Sequence, residues 1–513
     1  MITLGDLVAR NAQRFGAKDA YVEIERRRCW ADLHRRTDAL AHALGDLGVR
    51  PGDRVGVILK DSIEVAETIA ACAKLGATRV GLNHRLAPPE IAALADDAGV
   101  DVVCVQSDLA DLARQAMSAA DRSPKLIGIG SGHGFDLDYE TLIATHADRG
   151  AFPQTPHERI MICYTTGSTG LPKGAIYPHA TMVDSMAAIA LAEGATPEDV
   201  WLHAMPAAGV PIMHLLRNLF HGTTCAIVGD WSVERALTLI ERERCSICVL
   251  VPTMLNSLLS SGLIDQFDCS SLRQLGYGAS PIPPATIREA VSAFGCRFLQ
   301  MYGTTELIGM AMMLTATDHE RALRTGDRCL ESAGRALYYV DAKVVDDDGA
   351  PLAAGGDGEL LLRSPYVIPG YWNQDVKYTE TVRDGWLHTG DIAEIDADGF
   401  IYLKDRAKFR IKSGGYNIFP VEIENCIAEH PAVDEVSVFG LPDPKWGDRI
   451  HAVVTLADNA EVDGEGLREF CRGRIADFKI PKKIEVWAAL PKGPTGKIQK
   501  REIIDICASR QTE

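Results

Sequence analysis

The sequence has no surplus of basic charge. Its 53 Lys and Arg stand against 70 Asp and Glu, a formal net charge of −17. Nucleic-acid backbones demand a basic surface, so DNA and RNA are poor candidate partners. It also lacks an apolar run long enough to cross a bilayer, so no integral membrane segment is expected. There is no low-complexity tract and no internal repeat at a solenoid period. The first residues lack the basic-then-apolar order of a secretory leader, and the last, Arg510 to Glu513, spell no peroxisomal address. A cytoplasmic protein is therefore expected. Thirteen cysteines, odd in number and scattered, make no disulfide framework. The one Cys-x-x-Cys, Cys245 with Cys248, lies in an apolar run without a second pair. It reads as two core thiols in a reduced compartment rather than a metal or redox site.

What is present is the composition of an ordinary globular chain, and 513 residues are too many for one core. Apolar runs of strand length recur at 55–59, 100–105, 126–129, 160–163, 225–228 and 247–251, with helical patterns between them. One helix is marked from Ser62 to Leu75, with Ser62 as N-cap and Gly76 just past the end; another starts near Leu4. This alternation predicts an α/β fold, a large N-terminal domain of parallel sheets covered by helices. After about Arg335 the pieces shorten, at 341–345, 358–362 and 386–388, between Asp/Gly turns such as Asp346-Asp347-Asp348-Gly349. They predict a small antiparallel β subdomain. A compact α+β unit follows, with helices over 421–430 and 465–476 and strands over 435–439 and 451–456. The expected division is 1–404, a hinge at 405–408, and a small mobile C-terminal domain, 409–513.

After the apolar run Ile160–Cys163 comes Tyr164-Thr165-Thr166-Gly167-Ser168-Thr169-Gly170-Leu171-Pro172-Lys173-Gly174. Glycines and hydroxyls expose backbone N–H groups, and Lys173 adds a mobile cation, which is phosphate-holding chemistry. It is not a Walker A loop, because Leu171-Pro172 intervene where Gly must directly precede Lys. Alone, such a loop reads as a surface turn. Further along stand Gly278-Ala279-Ser280, then Tyr302-Gly303-Thr304-Thr305-Glu306, then Trp386 to Asp391, then Asp405-Arg406 with Lys408. Lys412-Ser413-Gly414-Gly415 and Pro491 to Lys497 complete the series. Each is weak by itself. Together and in this order they resemble the adenylate-forming superfamily of acyl-CoA synthetases, adenylation domains of peptide synthetases and beetle luciferases. The resemblance covers about residues 4 to 505, and it points to the acyl-CoA synthetase (fatty-acid–CoA ligase) branch.

The resemblance implies an acid–thiol ligase working in two half-reactions, with MgATP, a small carboxylic acid and coenzyme A as substrates. Thr165 to Gly170 and Lys173 would hold phosphates. Gly278, Ala279, Ser280, Tyr302, Gly303 and Thr304 would surround the nucleotide, with Tyr302 on adenine. Thr305 would contact the α-phosphate. Glu306, with Thr166, would hold magnesium, a hard ion that takes carboxylates together with substrate phosphates. Asp391 and Arg406 would hold the ribose, Asp391 because an ionised carboxylate accepts two hydrogen bonds at once. Lys497 would be the adenylation lysine and Lys408 the hinge. Coenzyme A would meet Lys412, Gly414, Gly415, Trp446, Phe478 and Lys479. Ile480 stands where some relatives carry a basic residue.

The acyl pocket departs from the family pattern. Where relatives often read Pro-Leu-Phe-His, this chain reads Pro206-Ala207-Ala208-Gly209. Ala208 and Gly209, with Tyr277 and Met301 as apolar neighbours, leave room for a medium-sized apolar, cyclic or aromatic acid. The alternative is that Met213, His214 or Tyr277 fills the gap. A stand-alone enzyme loading a carrier protein is the second reading of the acceptor, and assembly as a homodimer is left open.

Overall fold

A computed structural model describes residues 2–155, 157–165, 172–207, 209–279, 282–406, 409, 411–413, 416–418, 420–443, 447–457, 460–475, 477–493 and 497–510. At 405, 406, 412, 416, 417, 422, 447 and 478 it describes the backbone only.

Two large sheets organise the first 336 residues. The seven-stranded sheet centres on Val102–Gln106, Arg54–Ile58, Thr78–Gly81 and Arg159–Tyr164, all parallel. The nine-stranded sheet carries a parallel centre of Arg297–Tyr302, Gln274–Gly278, Ile247–Leu250, Val200–His203 and Thr224–Ile227. These strands read as continuous apolar runs because helices cover both faces and neither face meets water. An apolar core shared by both sheets, including Val57, Ile63, Ile69, Tyr177, Ile212 and Ile227, packs one against the other.

The helices obey their local signals. Leu4–Phe15 starts at Thr3, whose side chain accepts from Asp6 N while Asp6 answers the Thr3 backbone, a capping box. Ile63–Leu75 ends at Gly76, whose φ of +80° is the left-handed C-cap that glycine adopts without penalty. Ser62 precedes that helix in extended conformation but makes no side-chain cap hydrogen bond.

The antiparallel subdomain follows, with strands Asp341–Val345, Asp357–Arg363, Val382–Arg383, Trp386–Ile395 and Ile401–Arg406. The expected strand at 386–388 is in fact the first third of Trp386–Ile395. Its Thr389-Gly390-Asp391 segment interrupts the apolar alternation that would have announced its length. In the C-terminal unit, Gly447–Leu456 pairs antiparallel with Val433–Asp443 and parallel with Lys483–Val486. The helix expected over 465–476 stops at Cys471, because Arg472 turns to an extended conformation and Gly473 follows with a φ of +70°. That unit has its own apolar core around Ile423, Ile427, Val438, Val454 and Leu467.

Candidate active site

Parallel strands place their following loops at one edge of the sheet, where open α/β folds bind ligands. Four of the sequence motifs leave from such ends: Thr165 after Arg159–Tyr164, Ala279 after Gln274–Gly278, Gly303 after Arg297–Tyr302, and the 204–209 segment after Val200–His203.

The phosphate loop is clasped at its neck. Thr165 N donates to the Lys173 carbonyl at 2.9 Å, and Lys173 N donates to Thr165 Oγ1 at 3.4 Å. Thr166, Gly167, Ser168, Thr169 and Gly170, expected to hold phosphates, lie outside the described residues. The Lys173 ammonium sits 4.9 Å from the Tyr371 ring centroid, within cation–π range. The Tyr371 hydroxyl donates to Glu306 Oε1 at 2.6 Å. Burial, then the Glu306 charge, raises the Tyr371 phenol above its ordinary pKa, so it stays a donor. Lys173, Tyr371 and Glu306 therefore form one chain of contacts joining two motifs 133 positions apart in sequence.

Glu306 belongs to the short 3-10 turn Thr305–Leu307, fixed from several sides. Tyr177 Oη donates to the Thr305 carbonyl at 2.9 Å, Ser185 Oγ to the Ile308 carbonyl at 2.7 Å, and Ile368 N to the Glu306 carbonyl at 2.7 Å. Gly303 is required there, because a Cβ would overlap the Gly309 carbonyl. Thr304 Oγ1 is buried with no hydrogen-bond partner among the described residues. An orphaned buried hydroxyl calls for a partner. For magnesium, the donor set fits in kind: Tyr371 engages only Oε1 of Glu306, and a carboxylate has lone pairs to spare. Thr166, its expected companion, is outside the described residues.

The Tyr302 hydroxyl donates to Asp391 Oδ2 at 2.5 Å, joining the adenine and ribose expectations. Asp391 N donates to Thr389 Oγ1 at 3.0 Å, and Glu359 accepts from Gly390 N and meets His388 Nδ1 at 2.9 Å. Asp391 and Arg406 are cross-strand partners between Trp386–Ile395 and Ile401–Arg406. The Arg406 side chain is not described.

At the next strand end, Gly278 has no space for a side chain because the Met301 carbonyl would collide with it. Ala279 holds φ at +71°, a conformation a non-glycine residue adopts only when its surroundings impose it. Ser280 is outside the described residues.

Around the expected acyl pocket, Tyr277 and Met301 are buried, at 2 % and 5 % exposure. The Tyr277 hydroxyl lies 2.8 Å from His319 Nε2, and His319 Nδ1 lies 2.9 Å from the Thr315 carbonyl. Burial lowers the His319 pKa to about 4. The ring is thus neutral, with Nδ1–H donating to Thr315 and Nε2 accepting from Tyr277. Tyr277 is an immobilised wall, not a free polar group. Among the described residues, a Cβ at Gly209 would meet only Pro211 Cδ, at 3.9 Å. Ala208 lies outside the described residues.

Lys497 is exposed on a turn closed by Gly493 N to the Lys497 carbonyl and Gln499 N to the Pro491 carbonyl, both 2.8 Å. Lys479 ends the short turn Asp477–Lys479. Lys408, Gly414, Gly415 and Trp446 lie outside the described residues, as do the side chains of Lys412 and Phe478. Sequence reasoning missed Tyr371, Tyr177, Ser185, Glu359 and His319. The only signal for any of them was the aromatic pair Tyr371-Trp372 after Pro369-Gly370, which reads as a plain turn.

Among the described residues, no helix is long and apolar enough to cross a membrane. A family model described as AMP-binding enzyme matches residues 8–372, and one described as AMP-binding enzyme C-terminal domain matches 422–497. A fatty acid–[acyl-carrier-protein] ligase of Streptomyces coeruleorubidus is 32% identical over 93% of this chain and 91% of the relative. A long-chain-fatty-acid–CoA ligase of Mycobacterium tuberculosis is 33% identical over 98% of this chain and 97% of the relative. Among solved structures, an anthranilate CoA ligase in complex with anthranoyl-AMP superposes with a TM-score of 0.91 at 26% identity, covering 100% of this chain and 98% of that one. CoA ligases and a carrier-protein ligase thus stand side by side among the similar proteins. With the fold and both family models in agreement over nearly its whole length, the chain belongs to the AMP-binding, adenylate-forming enzymes, in their acyl-CoA synthetase branch.

Proposed function

We propose that this chain is an ATP-dependent acyl-CoA ligase that acts in the cytoplasm on a medium-sized apolar, cyclic or aromatic carboxylic acid. The observation that carries the chemistry is that Lys173 and Glu306, from motifs beside the two different large sheets, meet through Tyr371, while Tyr302, four residues before Glu306, holds Asp391 of the antiparallel subdomain.

The substrate carboxylate attacks the α-phosphorus of ATP, forming a C–O–P anhydride and releasing pyrophosphate. No covalent enzyme intermediate is needed, so the protein contributes position and charge. Asp391 accepts the ribose hydroxyls while Tyr302 fixes its carboxylate. Lys173 meets the outer phosphates, and Thr304 and Thr305 offer hydroxyls to the reacting one. Glu306, oriented by Tyr371, is the carboxylate for magnesium, which when bound would neutralise charge on the phosphate oxygens. Lys497 supplies positive charge to the attacking carboxylate and α-phosphate. The C-terminal domain then turns about Lys408, withdrawing Lys497 and bringing Gly414-Gly415 to the site. The CoA thiolate attacks the acyl carbon and AMP leaves.

The test is a panel of acids assayed with MgATP, with and without CoA, reading pyrophosphate and thioester separately. Thioester from one class of acid supports the ligase and names its substrate; pyrophosphate exchange without thioester for any acid overturns CoA as acceptor. That second outcome would favour a carrier protein, the acceptor named for the Streptomyces relative. Acetate as the best acid would overturn the open pocket expected at Gly209. Lys497→Ala is expected to lose about 10²–10³ in adenylation rate while sparing thioester formation from a supplied acyl-adenylate. Equal loss of both half-reactions would remove Lys497 from its role.

A further inference from the structure

The C-terminal unit holds a second side-chain cluster that the ligase chemistry does not use. His451 on Gly447–Leu456, Glu485 on Lys483–Val486 and Cys507 on Lys500–Ser509 bring their ligand atoms within 4.8 Å of one another. His451 and Cys507 are buried, at 1 % and 2 % exposure. We propose that His451 Nε2, Glu485 Oε1 and Cys507 Sγ form a three-ligand site for a zinc-type divalent cation, its fourth position left to water, pinning the last helix to the C-terminal sheet.

Three observations support it. First, the His451 side chain is fully enclosed, and its Nδ1 has no hydrogen-bond partner among the described residues. Such orphans demand an explanation. Second, Nε2 faces Glu485 Oε1 at 3.2 Å, so the two atoms already converge on one point. Metal–ligand arms of about 2.05 and 2.1 Å meeting across that gap subtend about 100°, close to tetrahedral, so a third atom off the N···O line suits the geometry better than a direct contact. Third, the ring is held in that attitude by Phe439, stacked 5.4 Å away at 22°.

The mixed nitrogen, oxygen and sulfur donors select zinc-like ions over magnesium, which takes oxygen. Cys507 would lose its proton on binding, and that proton goes to solvent. Lys483 is the opposing group, with its ammonium 2.6 Å from Glu485 Oε1; at 61 % exposure its side chain can swing into solvent. Trp487 Nε1 and Arg510 hold the other oxygen, orienting the carboxylate from outside. The helix otherwise rests on a satellite core of Phe439, Leu441, Val453, Leu490, Ile503 and Cys507. A core that small is where a metal staple contributes most.

The full-length protein, produced with zinc added and cleared of loose ions by a weak chelator, is assayed for metal by mass spectrometry. It is then reloaded with Co2+ and scanned for thiolate-to-cobalt absorption. About one zinc per chain and the charge-transfer band are expected, with melting temperature falling on strong chelation. Cys507→Ser and His451→Gln should each retain at least about tenfold less zinc, and Lys483→Gln, freed of the competing ammonium, should bind more tightly. A wild-type chain holding no zinc and giving no cobalt–thiolate band overturns the site. So does metal content unchanged in both ligand variants. Should those variants fail to fold, the wild-type metal content and cobalt spectrum decide alone.

Discussion

At the scale of single residues, the site rests on short hydrogen bonds to charged groups. The 2.5 Å contact between Tyr302 and Asp391 fixes the carboxylate proposed to receive the ribose. A hydrogen bond to a charged group contributes about 1.5–3 kcal/mol. Tyr302→Phe keeps the ring and removes that bond, so KM for ATP is expected to rise about tenfold or more, with the acid's KM little changed. Titrations of initial rate against each substrate check this, and equal increases in both KM values would show general damage instead. Tyr302, Glu306 and Asp391 could be singled out in the sequence because each lies in a motif and carries a side chain with chemistry of its own. Tyr371 and His319 were not. A tyrosine in a Gly-Tyr-Trp turn and a histidine on an exposed-looking helix gain meaning only from what faces them, and their partners lie 65 and 42 positions away.

At the scale of elements, the first helix is tied to the body by a histidine. Leu4 N donates to His179 Nδ1 at 3.2 Å, so that nitrogen must stay unprotonated. Burial lowers His179 and His319 from 6.5 to about 4. Between these values the unfolded chain binds more protons than the folded one, so stability rises with pH through the window and is lost on acidification from about 6.5 towards 4. Each histidine is expected to cost on the order of 1–3 kcal/mol by the bottom of that range. Urea denaturation at pH 7 and pH 5 measures it, and His179→Gln should flatten the dependence. Elements were read well where a glycine or an Asp/Gly turn marks the end, as Gly76 after Ile63–Leu75 and Asp346–Gly349 after Asp341–Val345. They were misjudged where polar residues and glycine interrupt the pattern. Trp386–Ile395 was cut short at Thr389, Gly390 and Asp391, which break the apolar alternation and include the carboxylate proposed for the ribose.

At the scale of the molecule, the order of motifs along the chain told more than any motif alone, because that order is the order of sheet edges. The division into a large body and a small mobile unit is the remaining proposal. Proline fixes φ and removes a donor, so Lys408→Pro should hold the joint in one setting. The expected outcome is a variant that performs one half-reaction at close to the normal rate and the other more than about tenfold slower. Rapid-quench measurement of acyl-adenylate formation, and of thioester from supplied adenylate, separates the two. Equal rates in both would place the pivot elsewhere.

Asp391 and Arg406 sit opposite one another as a rung between adjacent strands, and Arg406 is two residues before that pivot. On the proposed chemistry, the nucleotide grips the sheet at the place from which the moving unit hangs. ATP, acyl-adenylate and AMP all present the same sugar there, so the grip persists from the start of a turnover to its end. The joint is then anchored throughout a cycle and slackens only when AMP departs. Emptying the site thereby doubles as the reset, and the protein needs no separate device to record which half of its work is done.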